Sequence, residues 1–132
     1  MTERREVLVV DDEPVVVDAI RLVLGHEGFT VTAAPDAESA LAHPALGRCA
    51  LVLCDLMLPG LSGLDALREL RARRPGLPIV MITGYATPAL EESILAAGAA
   101  GFLPKPFDES ELLTLVRRVL SQDAPAREEQ TP

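Results

Sequence analysis

The sequence predicts an α/β fold, a doubly wound three-layer domain built around a five-stranded parallel sheet. Five short apolar runs alternate along the chain with five segments of helical periodicity, as parallel crossovers require. The central run, Ala50-Leu-Val-Leu-Cys54, is apolar at every position, which suits a strand covered on both faces. That run ends at a lone carboxylate, Asp55, and a Pro59-Gly60 turn signal follows. An isolated aspartate at a central strand's carboxyl end sits where open α/β sheets bind ligands.

Each element has its own signals. Glu6 to Val10 is rich in β-branched residues and reads as the first strand. Pro14 suits the first turn of a helix that continues to Glu27, where Gly28 supplies a stop. Phe29 to Ala33 alternates and forms a short second strand near a sheet edge. Asp36 caps a helix from Ala37 to about His43, which Pro44 and Gly47 break. The third strand, Leu51 to Cys54, leads to a helix over Gly63 to Arg73 with Leu64, Leu67 and Leu70 on one face. Arg71, Arg73 and Arg74 gather at its end and read as a solvated terminus complementing the helix dipole. Leu77 to Ile82 is the fourth strand; Thr87 and Pro88 start a helix through Ala97. Gly101 to Leu103 is a short fifth strand. Asp108 and Glu111 form a capping box for the last helix, which runs to about Ser121. The domain therefore spans residues 1–121. Residues 122–132 are polar and aperiodic, and read as a disordered tail or the start of a linker.

With 132 residues, one domain with a substantial core is expected. Aromatic residues make up only 3%, so that core must be built from Val, Leu, Ile and Ala. A net charge of −8 repels phosphate backbones and argues against direct nucleic-acid binding. Cys49 and Cys54 lack metal-ligand spacing and read as buried reduced thiols. No run reaches transmembrane length and no signal-peptide pattern is present, so a soluble cytoplasmic protein is expected.

If all five strands are parallel, their carboxyl ends share one edge. Asp11, Asp12 and Glu13 arrive there after strand one, Asp55 after strand three, Thr83 after strand four and Lys105 after strand five. Carboxylates so close repel one another without a cation. An all-oxygen cluster selects a hard divalent ion, and Mg²⁺ suits few protein ligands, with Mn²⁺ as an alternative. Aspartate is a competent nucleophile toward phosphoryl groups, while a hydroxyl and an ammonium suit the remaining phosphoryl oxygens. Lys105 is the only lysine among twelve cationic residues, so its place in Leu-Pro-Lys-Pro-Phe reads as chosen.

Together Val-Val-Asp11-Asp12-Glu13-Pro14, Leu-Cys-Asp55-Leu-Met-Leu-Pro-Gly60, Met-Ile-Thr83-Gly84 and Gly98-Ala-Ala-Gly-Phe102-Leu-Pro-Lys105-Pro106-Phe107 resemble the receiver domain of bacterial two-component response regulators. The resemblance covers roughly residues 6 to 120 and implies a flavodoxin-like strand order, 2-1-3-4-5. It further implies that Asp55 is the phosphoacceptor. Asp12 would bind Mg²⁺ directly, Asp11 largely through water, and the Met57 backbone carbonyl would complete the protein ligands. Thr83 and Lys105 would contact the phosphoryl group, Lys105–Pro106 would be a cis peptide, and Phe102 would be the rotating switch aromatic, moving from an exposed position. A sensor histidine kinase or phosphotransfer protein would be the donor. The chain would be a phosphoacceptor rather than an enzyme, assisting its own phosphorylation and dephosphorylation, and would switch the surface of the fourth helix, fifth strand and fifth helix. The output partner and any phosphorylation-dependent dimer stay open, as does the choice between a stand-alone receiver and part of a larger regulator.

Met57 and Tyr85 lie two residues past Asp55 and Thr83, and neither is a carboxylate or amide that could position an attacking water, so a slowly hydrolysing phospho-aspartate is expected. Gly84 leaves the approach to Asp55 open. Two alternatives compete. A haloacid-dehalogenase-like phosphatase needs a second aspartate where Met57 stands. A degenerate receiver acting only in docking usually lacks one of the residues that this chain retains.

Overall fold

In a computed structural model the described residues are 5–58 and 60–123. They form β1 (Arg5–Val10), α1 (Pro14–His26), β2 (Phe29–Ala34), α2 (Ala37–Ala42), a 3₁₀ turn (Pro44–Gly47), β3 (Leu51–Asp55), α3 (Gly63–Arg73), β4 (Ile79–Thr83), α4 (Pro88–Ala96), β5 (Gly101–Pro104) and α5 (Glu109–Asp123). Among these residues the five strands make one sheet in the order β2-β1-β3-β4-β5, every pair parallel. The expected flavodoxin-like order is therefore the observed one.

Strand alternation sorts the core into two layers. Leu8, Val10, Val52, Cys54 and Met81 point to α2, α3 and α4, against Ala40, Leu67, Leu70 and Ile94. Val7, Val9, Leu51, Leu53, Val80 and Ile82 point to α1 and α5, against Ile20, Leu24, Leu112 and Val116. Both β3 and β4 are buried at all five positions, as strands in the middle of a covered parallel sheet must be. Register then decides where the chemistry lands. Val10 pairs with Cys54, Asp55 with Ile82, and Thr83 with Pro104, so strand ends arrive together at one edge.

Caps fix where helices begin. Asp36 accepts from the Ser39 amide at 2.7 Å and Thr87 from the Leu90 amide at 3.1 Å. Asp108 and Glu111 form the reciprocal capping box, at 2.8 and 2.9 Å. Gly28 and Gly98 follow α1 and α4 with φ of 93° and 107°, a region that only glycine enters without cost.

Four expectations change in detail. A 3₁₀ turn fills the gap after α2; its four residues are too few to show periodicity, and His43 Nδ1 accepts from the Ala45 amide at 3.0 Å to start it. The fourth strand begins at Ile79 rather than Leu77. The last helix reaches Asp123, two residues beyond Ser121, and residues 124–132 of the expected tail lie outside the described residues. The arginines ending α3 are not simply solvated. Arg74 donates to the Leu46 carbonyl at 2.6 Å and to that of Cys49 at 3.3 Å, and Arg73 donates to that of Leu41 at 3.1 Å. Two guanidinium groups thus tie α3 to the α2–β3 connection, using carbonyls that a helix-dipole argument cannot see.

Candidate functional site

Three strand ends at the carboxyl edge close with the same local turn. The Glu13 amide donates to Asp11 Oδ1 at 2.9 Å, the Met57 amide to Asp55 Oδ1 at 3.2 Å and the Tyr85 amide to Thr83 Oγ1 at 3.1 Å. Each side chain bonds the backbone two residues on, which aims it back over the strand it ends. The fourth contribution comes from β5. The Lys105 amide donates to the Thr83 carbonyl at 2.7 Å, and the Lys105–Pro106 peptide is cis, as expected.

The result is a deeply set cluster. Asp11, Asp55 and Thr83 are 3%, 4% and 0% exposed, whereas Asp12 and Glu13 stand open to solvent. Carboxylate oxygens of Asp11, Asp12 and Asp55 lie within 4.8 Å of one another. Lys105 Nζ is 2.8 Å from Glu13 Oε1, 3.4 Å from Asp11 Oδ2 and 3.6 Å from Asp55 Oδ2. A cleft of about 550 Å³ opens above these groups, lined by Asp12, Glu13, Asp55, Met57, Gly84, Tyr85 and Lys105.

Burial dominates the electrostatics of Asp11 and, with help from the Asp55 charge, raises its pKa above the usual carboxylate range despite the Glu13 amide and Lys105. For Lys105, burial pulls the pKa down, but the Glu13 hydrogen bond and the charges of Asp11 and Asp55 outweigh it, and the net shift is upward. Asp11 Oδ2 is buried and accepts no hydrogen bond among the described residues. A buried, unsatisfied carboxylate oxygen beside two further carboxylates is the donor set of a hard divalent cation. The residues fit such an ion, which Asp11, Asp12 and Asp55 would hold.

The profile of the family described as Response regulator receiver domain matches residues 7–117. The chain belongs to this family. The receiver is 42% identical over 116 residues to the probable transcriptional regulatory protein TcrX of Mycobacterium tuberculosis, covering 86% of this chain and 49% of that protein. It is 41% identical to the DNA-binding response regulator MtrA of Mycolicibacterium smegmatis, covering 95% of this chain and 55% of MtrA. Among solved structures it resembles the receiver domain of NtrX from Brucella abortus, with 38% identity and a TM-score of 0.81 over 87% and 98% of the two chains. Vibrio cholerae chemotaxis protein CheY4 gives 29% identity and a TM-score of 0.82 over 89% and 99%. The receiver spans about half the length of the curated relatives it matches.

Of the remaining residues singled out in the receiver's sequence, Met57, Gly84 and Tyr85 line the cleft and Phe102 stands on β5 beside it. Met57 and Tyr85 are 59% and 72% exposed and stand at its rim. A Cβ on Gly84 would sit 3.9 Å from Lys105 Cβ, so the glycine leaves the mouth wide without being sterically required. Phe102 pairs in register with Met81, two residues before Thr83, and the ring packs against the α2–α3–α4 layer. It is half-buried, which corrects the exposed position expected for it; the short β5 strand presses its side chain onto that layer. Cys49 and Cys54 are buried and free, and burial pushes the Cys54 thiol up to about 12. The sequence delivers Glu13 to the same edge but offers no reason to single it out, because its contact with Lys105 joins residues 92 positions apart.

The Asp11 shift has a stability consequence with a definite sign. Its folded-state pKa lies above the unfolded one, so its contribution is most favourable at low pH and is lost as pH rises through the folded value. Asp11→Asn is therefore expected to raise the urea midpoint at pH 7 in the presence of a chelator. The gain should vanish below the ordinary carboxylate range, and urea titrations at two pH values check both statements.

Proposed function

We propose that the chain accepts a phosphoryl group on Asp55 from a histidine kinase or phosphotransfer protein and acts as the switch of a two-component phosphorelay. The observation that carries this reading is the convergence of Asp55, Thr83 and the sole lysine on one sheet edge, beside carboxylates close enough together to hold a cation. An Asp55 carboxylate oxygen forms the new P–O bond while the P–N bond of the donor's phosphohistidine breaks, its electron pair returning to the imidazole nitrogen. Asp11, Asp12, Asp55 and the Met57 carbonyl would hold Mg²⁺, which would supply neutralisation of charge on phosphoryl oxygens. Mn²⁺ satisfies the same donors. Lys105 and Thr83 bind phosphoryl oxygens, and Thr83 gives up its hydrogen bond from the Tyr85 amide to do so. Thr83 and Phe102 share the sheet face that meets α4, so movement of Thr83 frees space on the side of the ring and biases the α4–β5–α5 surface.

This reading places the chain in the cytoplasm, where such donors act; among its described residues no helix is long and apolar enough to cross a membrane. The output partner is a separate domain or protein, and MtrA, described as DNA-binding, carries about as much chain again outside the matched part. A phosphorylation-dependent dimer through the switched surface fits the same scheme. A phosphatase of the haloacid-dehalogenase type is disfavoured because Met57 cannot transfer a proton. The test is intact-mass spectrometry with a small-molecule phosphoryl donor and Mg²⁺, which should show one added phosphoryl group per chain.

The rim residues set the lifetime of the product. Neither Met57 nor Tyr85 offers a carboxylate or amide to orient a water for in-line attack, so the phosphorylated chain should decay slowly. Met57→Asn is expected to shorten its half-life several-fold in a phosphate-release time course. An unchanged half-life would remove Met57 from this role.

A further inference from the structure

We infer that Glu13 is the resting counter-ion of Lys105 and competes with the phosphoryl group for it, so that Glu13 sets how far the switch turns on; this rests on the phosphoacceptor reading above. Lys105 Nζ faces three carboxylates, yet among the described residues its hydrogen bond goes to Glu13 Oε1, at 2.8 Å. Asp11 and Asp55, at 3.4 and 3.6 Å, make ion-pair contacts only. The chosen partner is also the most exposed one. The Glu13 side chain is 57% accessible, against 1% for Asp11 and 5% for Asp55.

That asymmetry has a physical consequence. A pair with an open carboxylate is weak and breaks readily, whereas exchange for a buried partner would require desolvating the ammonium further. Lys105 is therefore parked at the mouth of the cleft, near Asp55 without being bonded to it. A phosphoryl group on Asp55 brings several charged oxygens into reach of the same ammonium, and Lys105 must leave Glu13 to serve them. Breaking the Glu13 pair is a cost borne only by the phosphorylated state. Because Glu13 opens α1 as its N-cap residue without a side-chain cap bond, its carboxylate has no competing local duty. Glu13 is thus a positioning residue acting through Lys105 rather than a catalytic one.

The experiment measures affinity for beryllofluoride, a non-hydrolysing phosphoryl mimic, with Mg²⁺ present. Tyr85 is the only tyrosine, the chain has no tryptophan, and Tyr85 lines the cleft, so its fluorescence reports binding without a label. Glu13→Gln is expected to bind about threefold more tightly than the wild type, the scale of a partly exposed ion pair. Asp18→Asn is the control. Asp18 is an exposed carboxylate on α1 that borders the neighbouring cleft with Asp11 and Asp12, and removing it lowers the local charge equally without touching Lys105. Its affinity should match the wild type. The inference is overturned if Glu13→Gln binds no more tightly, or if Asp18→Asn tightens binding to the same degree, which would mark a general field effect. A wild-type chain that neither binds beryllofluoride nor gains a phosphoryl group overturns the phosphoacceptor reading itself.

Discussion

Asp55→Asn is expected to abolish phosphoryl uptake completely while leaving the chain folded. The amide keeps the volume of the carboxylate and can still accept from the Met57 amide, which now meets Asp55 Oδ1 at 3.2 Å. It lacks the nucleophilic oxygen, and Asp11, though equally buried, does not line the cleft through which a donor would reach the site. The variant should also be no less stable than the wild type in chelator, because a buried carboxylate whose charge helps raise the pKa of Asp11 has been neutralised. The two outcomes are read by intact mass after incubation with donor and Mg²⁺, and by urea midpoint. A phosphoryl mass retained on the Asp55→Asn chain would move the acceptor elsewhere and sink the assignment.

Gly63→Ala is expected to be the most damaging single-methyl change among the glycines. The added Cβ would fall 2.6 Å from both Cα and Cδ1 of Leu56 and against the Leu56 carbonyl oxygen. Backbone cannot step aside as a flexible side chain would, so the cost is about 1–3 kcal/mol or more. The loop that would have to move starts one residue after Asp55, so phosphoryl uptake should fall along with stability. Gly25→Ala makes the opposite comparison. Gly25 lies in the last turns of α1 with nothing within 4 Å of a Cβ, and the change should gain about 0.5–1 kcal/mol from helix entropy. Chemical denaturation of both variants measures the contrast. Equal midpoints would mean that the Leu56–Gly63 approach relaxes easily.

How much of this was legible in the sequence depends on the range of the interaction. The strands and helices follow from periodicity and from caps at Asp36, Thr87 and Asp108, each of which acts across three residues. The site residues were legible because parallel topology sends every strand's carboxyl end to one edge, so positions along the chain become neighbours without any knowledge of packing. What escaped was set by contacts between distant segments. Arg74 reaches carbonyls 25 and 28 residues away, and Lys105 chooses Glu13 over Asp11 and Asp55 only because the loops place them so. The half-buried setting of Phe102 likewise depends on the layer above it. The 3₁₀ turn escaped for a different reason, since four residues cannot display a period.

The sheet divides the interior into two layers that share no side chains, and the two phenylalanines near the site fall on opposite sides of it. Phe102 packs with the α2–α3–α4 layer and Phe107 with the α1–α5 layer, though only five residues separate them. The sheet therefore works as a partition between hearing and speaking. On the proposed reading, a disturbance that begins at Thr83 would first meet the layer that holds Phe102, and would reach α5 only around the end of β5. A partner that must recognise the chain before and after modification would find constancy on α1. One that must tell the two states apart would have to listen at the edge where α4, β5 and α5 meet.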